Sequence, residues 1–282
     1  MIKNYMHQKS GTKSTKEFWN KYWSKIDVKK ELSSLKLYYN KQAIENFLPK
    51  SGRVLECGCG TGRLLFAFDS PTRQMVGLEI VDEPLERIRA VRPDLELHVG
   101  NVLKLPFSTN SFDACIALGV LSWLKTPEEI SQALLEIRRV CRPGAKIIIS
   151  FPADNMYLRL SRVKSFFSNK FKNQYEGKEH SGYYFTYYDL YKFLNDASFK
   201  LKKVRAEWPM MGLWFSLPFL RTKRSNEFYK KNRSAFLQLG RDGVSSYELT
   251  FFGKFLYKIF HPFSWLFFSV GIMSFSVLQK DD

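Results

Sequence analysis

Residues 54–65 read VLECGCGTGRLL, and the fold turns on this stretch. Val54 and Leu55 suit the end of a buried parallel strand, and Leu64 to Phe68 suit the first turns of a helix. Between them stand Glu56, Gly58, Gly60 and Gly62. Glycine reaches positive φ cheaply and lets a ligand lie on the backbone. A glycine-rich turn from strand to helix is where open α/β sheets hold a nucleotide. The dinucleotide fingerprint G-x-G-x-x-G is not met, because Arg63 stands where its third glycine would be and Gly62 comes one residue early. No Gly-Lys-Ser/Thr follows, so a phosphate-cradling P-loop is excluded too. The turn suits a nucleoside with no phosphate to hold.

Outward from the loop, strand candidates alternate with helix candidates. RVLEC, MVGLEI, LELHVG, FDACIAL and AKIIIS read as strands, and GRLLFAF, PLERIRAV and EEISQALLEIRRV as helices. The last helix shows an apolar stripe at Ile130, Leu134, Ile137 and Val140. Such alternation predicts a doubly wound α/β, Rossmann-like, mostly parallel seven-stranded sheet covered on both faces. The predicted organisation is a helical N-terminal extension over 1–50, with Ser14 and Glu17 in capping-box spacing, and a cofactor-binding core over 51–150. A basic aromatic cap insert over 151–186, the rest of the fold over 187–250 and a tail over 251–282 follow.

Glu79 closes the second strand about twenty residues past the glycines, where an acidic side chain accepts the two hydroxyls of a ribose. Ile80 follows it. Asn101 after the third strand is placed to bond an adenine edge, with Val102 and Leu103 covering the base. Leu118 and Gly119 end the fourth strand beside the glycine loop, across the switch point. Four cysteines, two in Cys57-x-Cys59, give neither a disulfide framework nor a zinc motif, and no metal is expected.

At these residues the chain resembles the class I S-adenosylmethionine-dependent methyltransferases. VLECGCGTGRLL is similar to their E/D-x-G-x-G-x-G loop, and GLEIVDEPLERIRA to their acidic strand end and helix. GNVLKLPFSTNSFDACIALGVLSWL is similar to their GDA..LPF....FD.V.....L.HL, and LLEIRRVCRPGAKIIIS to their L.E..RVLKPGG.L.IS. The motifs occur in family order over roughly residues 40–207. Asn101 replaces the usual Asp, and Ser122-Trp123 replaces a common His pair. The resemblance implies S-adenosyl-L-methionine as cofactor, its methionine half on the glycine backbone and Glu56 near its ammonium. It also places EHSGYYFTYY, with His180, Tyr183, Tyr184 and Tyr187, in a cap over the acceptor. His180 is then either a base or a histidine outside catalysis.

The net charge of +17 is unevenly spread. Residues 51–150 balance 12 cations against 12 anions, whereas 1–50 carry +7 and 151–282 carry +10. Basic flanks favour a polyanion, either nucleic acid or an anionic membrane. YELTFFGKFLYKIF spaces Phe251, Phe255 and Ile259 on one helical face with Lys254 and Lys258 on another, as in an interfacial helix. From Ile259 to Leu278 no charged residue occurs. These features predict a tail that lies on the membrane, a peripherally associated cytoplasmic enzyme, and a lipid, lipid-linked saccharide or quinone-like acceptor. The competing readings are an RNA methyltransferase using the basic flanks, a scaffold without catalysis, and a tail buried in the core or in a dimer. The N-terminus is too polar for a signal peptide.

Overall fold

The computed structural model describes residues 15–24, 41–151, 185–206, 250–260 and 274–280, together with positions 219, 222, 223 and 227. The predicted cap residues His180, Tyr183 and Tyr184 lie outside the described residues, as does most of the insert over 151–186. The helical pattern expected across the N-terminal extension is described in two pieces, α1 (Thr15–Trp23) and α2 (Lys41–Phe47).

The core then follows in strict alternation: β1 (Gly52–Cys57), α3 (Arg63–Phe68), β2 (Arg73–Glu79), α4 (Glu83–Arg89), β3 (Glu96–Val99), β4 (Phe112–Ala117), a 3-10 turn (Leu121–Trp123), α5 (Pro127–Val140) and β5 (Cys141–Phe151). The remaining elements are α6 (Tyr187–Asp196), β6 (Phe199–Ala206), α7 (Phe251–Phe260) and β7 (Ser274–Lys280). The strands order as β3-β2-β1-β4-β5-β7-β6. β1 to β5 pair in parallel, and β7 runs antiparallel to both β5 and β6.

Strand side chains alternate between faces, so each strand feeds two apolar layers. Leu55, Cys115, Ile147 and Ile149 face a layer closed by Ile130, Leu134 and Ile137 of α5 and by Leu190 and Leu194 of α6. Val54, Ile116 and Ile148 face the other, closed by Ile44, Leu65, Phe68, Leu85 and Ile88. Burial on both faces explains why the strands read as near-continuous apolar runs.

Polar residues of the sequence motifs fix the loops between these elements. Thr126 caps α5 by accepting from the Glu129 N–H at 3.2 Å, and Pro127 occupies the first turn, where no N–H is needed. From the far end of α5, Glu136 accepts from the Leu105 N–H at 2.7 Å, while Arg139 donates to the carbonyls of Leu105 and Phe107. These two residues pin the loop after β3, and Arg139 in turn holds the Glu136 carboxyl below its ordinary range. Asp113 accepts from the Arg53 N–H at 2.7 Å and pairs with Arg142, tying β4 to the entry of β1.

One expectation is corrected here. The stretch from 251 to 282 is not one appendage outside the fold, because Ser274–Lys280 forms β7 between β5 and β6. The physical reason is pairing: a strand inserted there satisfies backbone donors and acceptors on both neighbours, including Ile147 opposite Leu278 and Leu201 opposite Leu278. No helix among the described residues is long and apolar enough to cross a membrane.

Candidate functional site

The strand order reverses between β1 and β4, and the crevice at their carboxyl ends is where such sheets take ligands. The loop leaving β1 lines one side. Gly58, Gly60 and Gly62 hold φ of 70°, 51° and 78°. At Gly58 and Gly60 the left-handed conformation lets the chain turn sharply under the crevice, which a residue with a Cβ resists. A Cβ on Gly60 would also collide with the Trp23 indole. The turn is anchored from below, since the Gly58 and Cys59 N–H groups both donate to the Leu78 carbonyl, at 2.7 and 3.0 Å.

Two buried carboxylates flank the loop. Glu79, 4% exposed, accepts from the Gly60 N–H through Oε2 at 3.0 Å and from the Ile80 N–H through Oε1 at 2.9 Å. Burial raises its pKa, and those N–H groups oppose the rise. The Val81 N–H acts on the same carboxylate, which still has acceptor capacity for a ligand. Glu56, 6% exposed, differs: its Oε2 is buried with no hydrogen-bond partner among the described residues. Burial pushes its pKa up to about 8, with nearby Arg63 pulling down and Glu79 adding to the rise. A buried acceptor without a donor is costly unless a ligand supplies one. A cationic ammonium is such a donor, so the residues present fit the methionine end of S-adenosylmethionine.

The other expected residues gather around the same crevice. Ile80 is half-buried after β2. The Glu79 carbonyl accepts from Gly100, which brings Asn101 beside the acidic strand end. Asn101 is exposed, and its Oδ1 already accepts from the Leu103 N–H at 3.0 Å, which leaves its amide N–H groups to meet a base. Val102 is buried. Leu118 and Gly119 leave β4, and the Gly119 N–H donates to the buried Ser150 Oγ at 2.7 Å. A Cβ on Gly119 would meet nothing within 4 Å, so there is open space at this end of β4. Cys59 lies under the loop, and burial together with the two glutamates keeps its thiol protonated. The described residues hold no cluster suited to a metal ion.

Three contributors escaped the sequence reading. Ser150 orients the Gly119 turn from β5. Arg63 faces Glu56. Trp23 of α1 covers Gly60. The signal for the last was the aromatic density of EFWNKYW, which marks a packed helix without saying against what.

Comparison with known proteins agrees with this geometry. Residues 55–149 match the methyltransferase domain family. An uncharacterized methyltransferase of Mycobacterium tuberculosis is 30% identical over 110 residues, covering 39% of this chain and 44% of that protein. The demethylmenaquinone methyltransferase of Renibacterium salmoninarum is 33% identical over 99 residues, covering 35% of this chain and 40% of that one. A tRNA (carboxymethyluridine(34)-5-O)-methyltransferase of Arabidopsis thaliana is 29% identical over 145 residues, covering 50% of this chain and 35% of that one. The chain thus spans less than half the length of these curated relatives. Among solved structures, a SAM-dependent methyltransferase from Methanosarcina mazei superposes with a TM-score of 0.55 at 18% identity, over 85% of this chain and 97% of that one, which speaks for the fold. The glycine turn, the acidic strand ends and the sheet order agree with the match of residues 55–149 to the methyltransferase domain family, and the fold is that of the S-adenosylmethionine-dependent methyltransferases.

Proposed function

We propose that the protein transfers a methyl group from S-adenosylmethionine to a lipid-like acceptor at a membrane surface. The observation that carries the first half is the unpartnered Oε2 of Glu56 beside a left-handed glycine turn that is exposed at Gly58. Glu56 would take the ammonium, Glu79 the ribose hydroxyls, Asn101 and Val102 the adenine, and the Gly58–Gly62 backbone the methionine chain. The cofactor supplies a methyl group already activated on a sulfonium, which an in-line nucleophile displaces. The chain's own task is then largely orientation and exclusion of water. Gly60→Val tests the assignment: calorimetry should show S-adenosylmethionine binding abolished in a folded variant, and binding at wild-type strength would move the cofactor elsewhere.

The surface half is supported by α7. Phe251 is 89% exposed, and Phe252, Phe255 and Ile259 are exposed with it, next to an exposed Lys254. Apolar insertion and attraction of cations to anionic headgroups act together at such a helix. In the cell this corresponds to a cytoplasmic enzyme held peripherally at the membrane. The second reading, an RNA acceptor, draws on the basic flanks and on the tRNA methyltransferase relative. Flotation with anionic vesicles against salt-sensitive RNA retention separates them, because phosphate contacts weaken steeply with salt.

A further inference from the structure

An aromatic cluster lies beside the cofactor loop and belongs to neither apolar layer of the sheet. α1 contributes Phe18, Trp19, Tyr22 and Trp23, and the 3-10 turn after β4 contributes Trp123. The rings form a continuous run. Trp23 lies on Gly60 of the cofactor loop and stacks on Trp19 at 5.9 Å. Trp19 meets Trp123 edge-on at 5.2 Å, and Phe18 meets Trp123 at 5.8 Å. All five rings are half-buried, whereas the strand and helix residues beneath them are closed. One end of the run therefore touches the cofactor turn, and the other follows Gly119 by a few residues, where the open space lies.

We propose that Trp19 and Trp123 line the seat of a planar ring carried by an apolar acceptor, positioned so that the ring enters between this wall and the Gly119 turn. The inference rests on the methyl-transfer reading above and narrows its acceptor class. Three considerations lead to a ring. Aromatic faces prefer offset stacking or edge contact with another aromatic group. Trp23 at one end of the run lies on Gly60, and Trp123 at the other follows Gly119, so a group held against the run sits next to the cofactor cradle. Partly exposed rings offer apolar area that a bound ring would cover and that the sheet core does not need.

The experiment uses the full chain and 1,4-naphthoquinone as the ring probe, read by quenching of intrinsic tryptophan fluorescence. Wild-type protein should show saturable quenching. Trp19→Leu and Trp123→Leu should each weaken it at least tenfold, while Phe251→Ser on α7 leaves it unchanged. Both tryptophan variants should bind S-adenosylmethionine within twofold of wild type by calorimetry and keep the wild-type unfolding temperature. With a ring substrate that accepts the methyl group, KM should rise at least tenfold with kcat little changed. Non-saturable quenching, or equal quenching in the variants, overturns the seat. So does a parallel loss of cofactor affinity, which would make the cluster a cover for the cofactor. Saturable quenching by a short RNA oligonucleotide in place of the quinone also overturns it, in favour of an RNA acceptor. If the probe binds as described and no methyl group is transferred to any acceptor, the seat stands and the enzymatic reading fails. If methyl transfer to lipid proceeds with unchanged KM in both variants, the enzymatic reading stands and the seat fails.

Discussion

Glu56 and Glu79 are buried acids on the neighbouring strands β1 and β2, and both Glu79 oxygens are met by backbone N–H groups whereas Oε2 of Glu56 has no partner among the described residues. Glu79→Ala removes a charged acceptor whose hydrogen bonds are each worth about 1.5–3 kcal/mol, so cofactor affinity measured by calorimetry should fall at least tenfold. Glu56 gives a pH signature. Its pKa in the folded protein, about 8, lies above the ordinary carboxylate value of 4.5. The folded state therefore holds more protons than the unfolded state between those values, and the contribution to stability declines as pH rises through that window. Glu56→Gln should raise the unfolding temperature at pH 8.5 and leave it nearly unchanged at pH 4.5. Cofactor binding at pH 7 should release protons from Glu56, visible as a buffer-dependent binding enthalpy that Glu56→Gln abolishes. The position of Glu79 was legible because a fixed spacing links glycine turn and strand end. The unpartnered Oε2 of Glu56 was not, because it depends on which donors the packed loop brings near. The orientation of Asn101 was likewise hidden, since its oxygen is claimed by a turn N–H only once the loop is folded.

At the scale of elements, β1 to β5 and their helices were readable from apolar runs punctuated by capping and turn residues. The bounds shift by a few residues, most at β5, where Cys141 already pairs with Phe112 before the register jumps to Lys146 opposite Ala114. The Arg-Pro-Gly segment that reads as a turn is thus an irregularity inside the strand. α1 reads as a helix, but its face toward Gly60 is set by tertiary contact and leaves no local signature. α7 was legible in its helical period, and Phe251 and Phe255 are exposed on it. Burying one phenylalanine is worth about 1.5–3 kcal/mol. Replacing both Phe251 and Phe255 by Ser should weaken partition onto anionic vesicles at least thirtyfold. Lys254→Glu should weaken it several-fold at low salt and little at high salt, since cations near the surface contribute about 1 kcal/mol each and are screened. Equal flotation of the phenylalanine variant would remove α7 from any docking role.

Across the whole molecule, charge and topology carry different messages. The balanced core over 51–150 holds the cofactor crevice, and the basic excess lies in the flanks. Topology was less legible in the last segment, because an uncharged aromatic run suits a strand between two others as well as an interface, and only pairing partners far along the chain decide it. β7 has such partners on both sides. Deleting residues 274–282 should therefore lower the unfolding temperature sharply or prevent folding; a truncated protein with wild-type stability would take β7 out of the sheet. The central claim, methyl transfer from S-adenosylmethionine to a lipid-like acceptor, meets its most direct test in one labelling reaction. The full-length protein is incubated with methyl-labelled S-adenosylmethionine, total lipid extract on anionic vesicles, and total RNA, and the products are separated into organic, RNA and protein fractions. Label should enter the organic fraction, and Gly60→Val should abolish it. Label confined to RNA or protein, or to none of the three, would contradict the account.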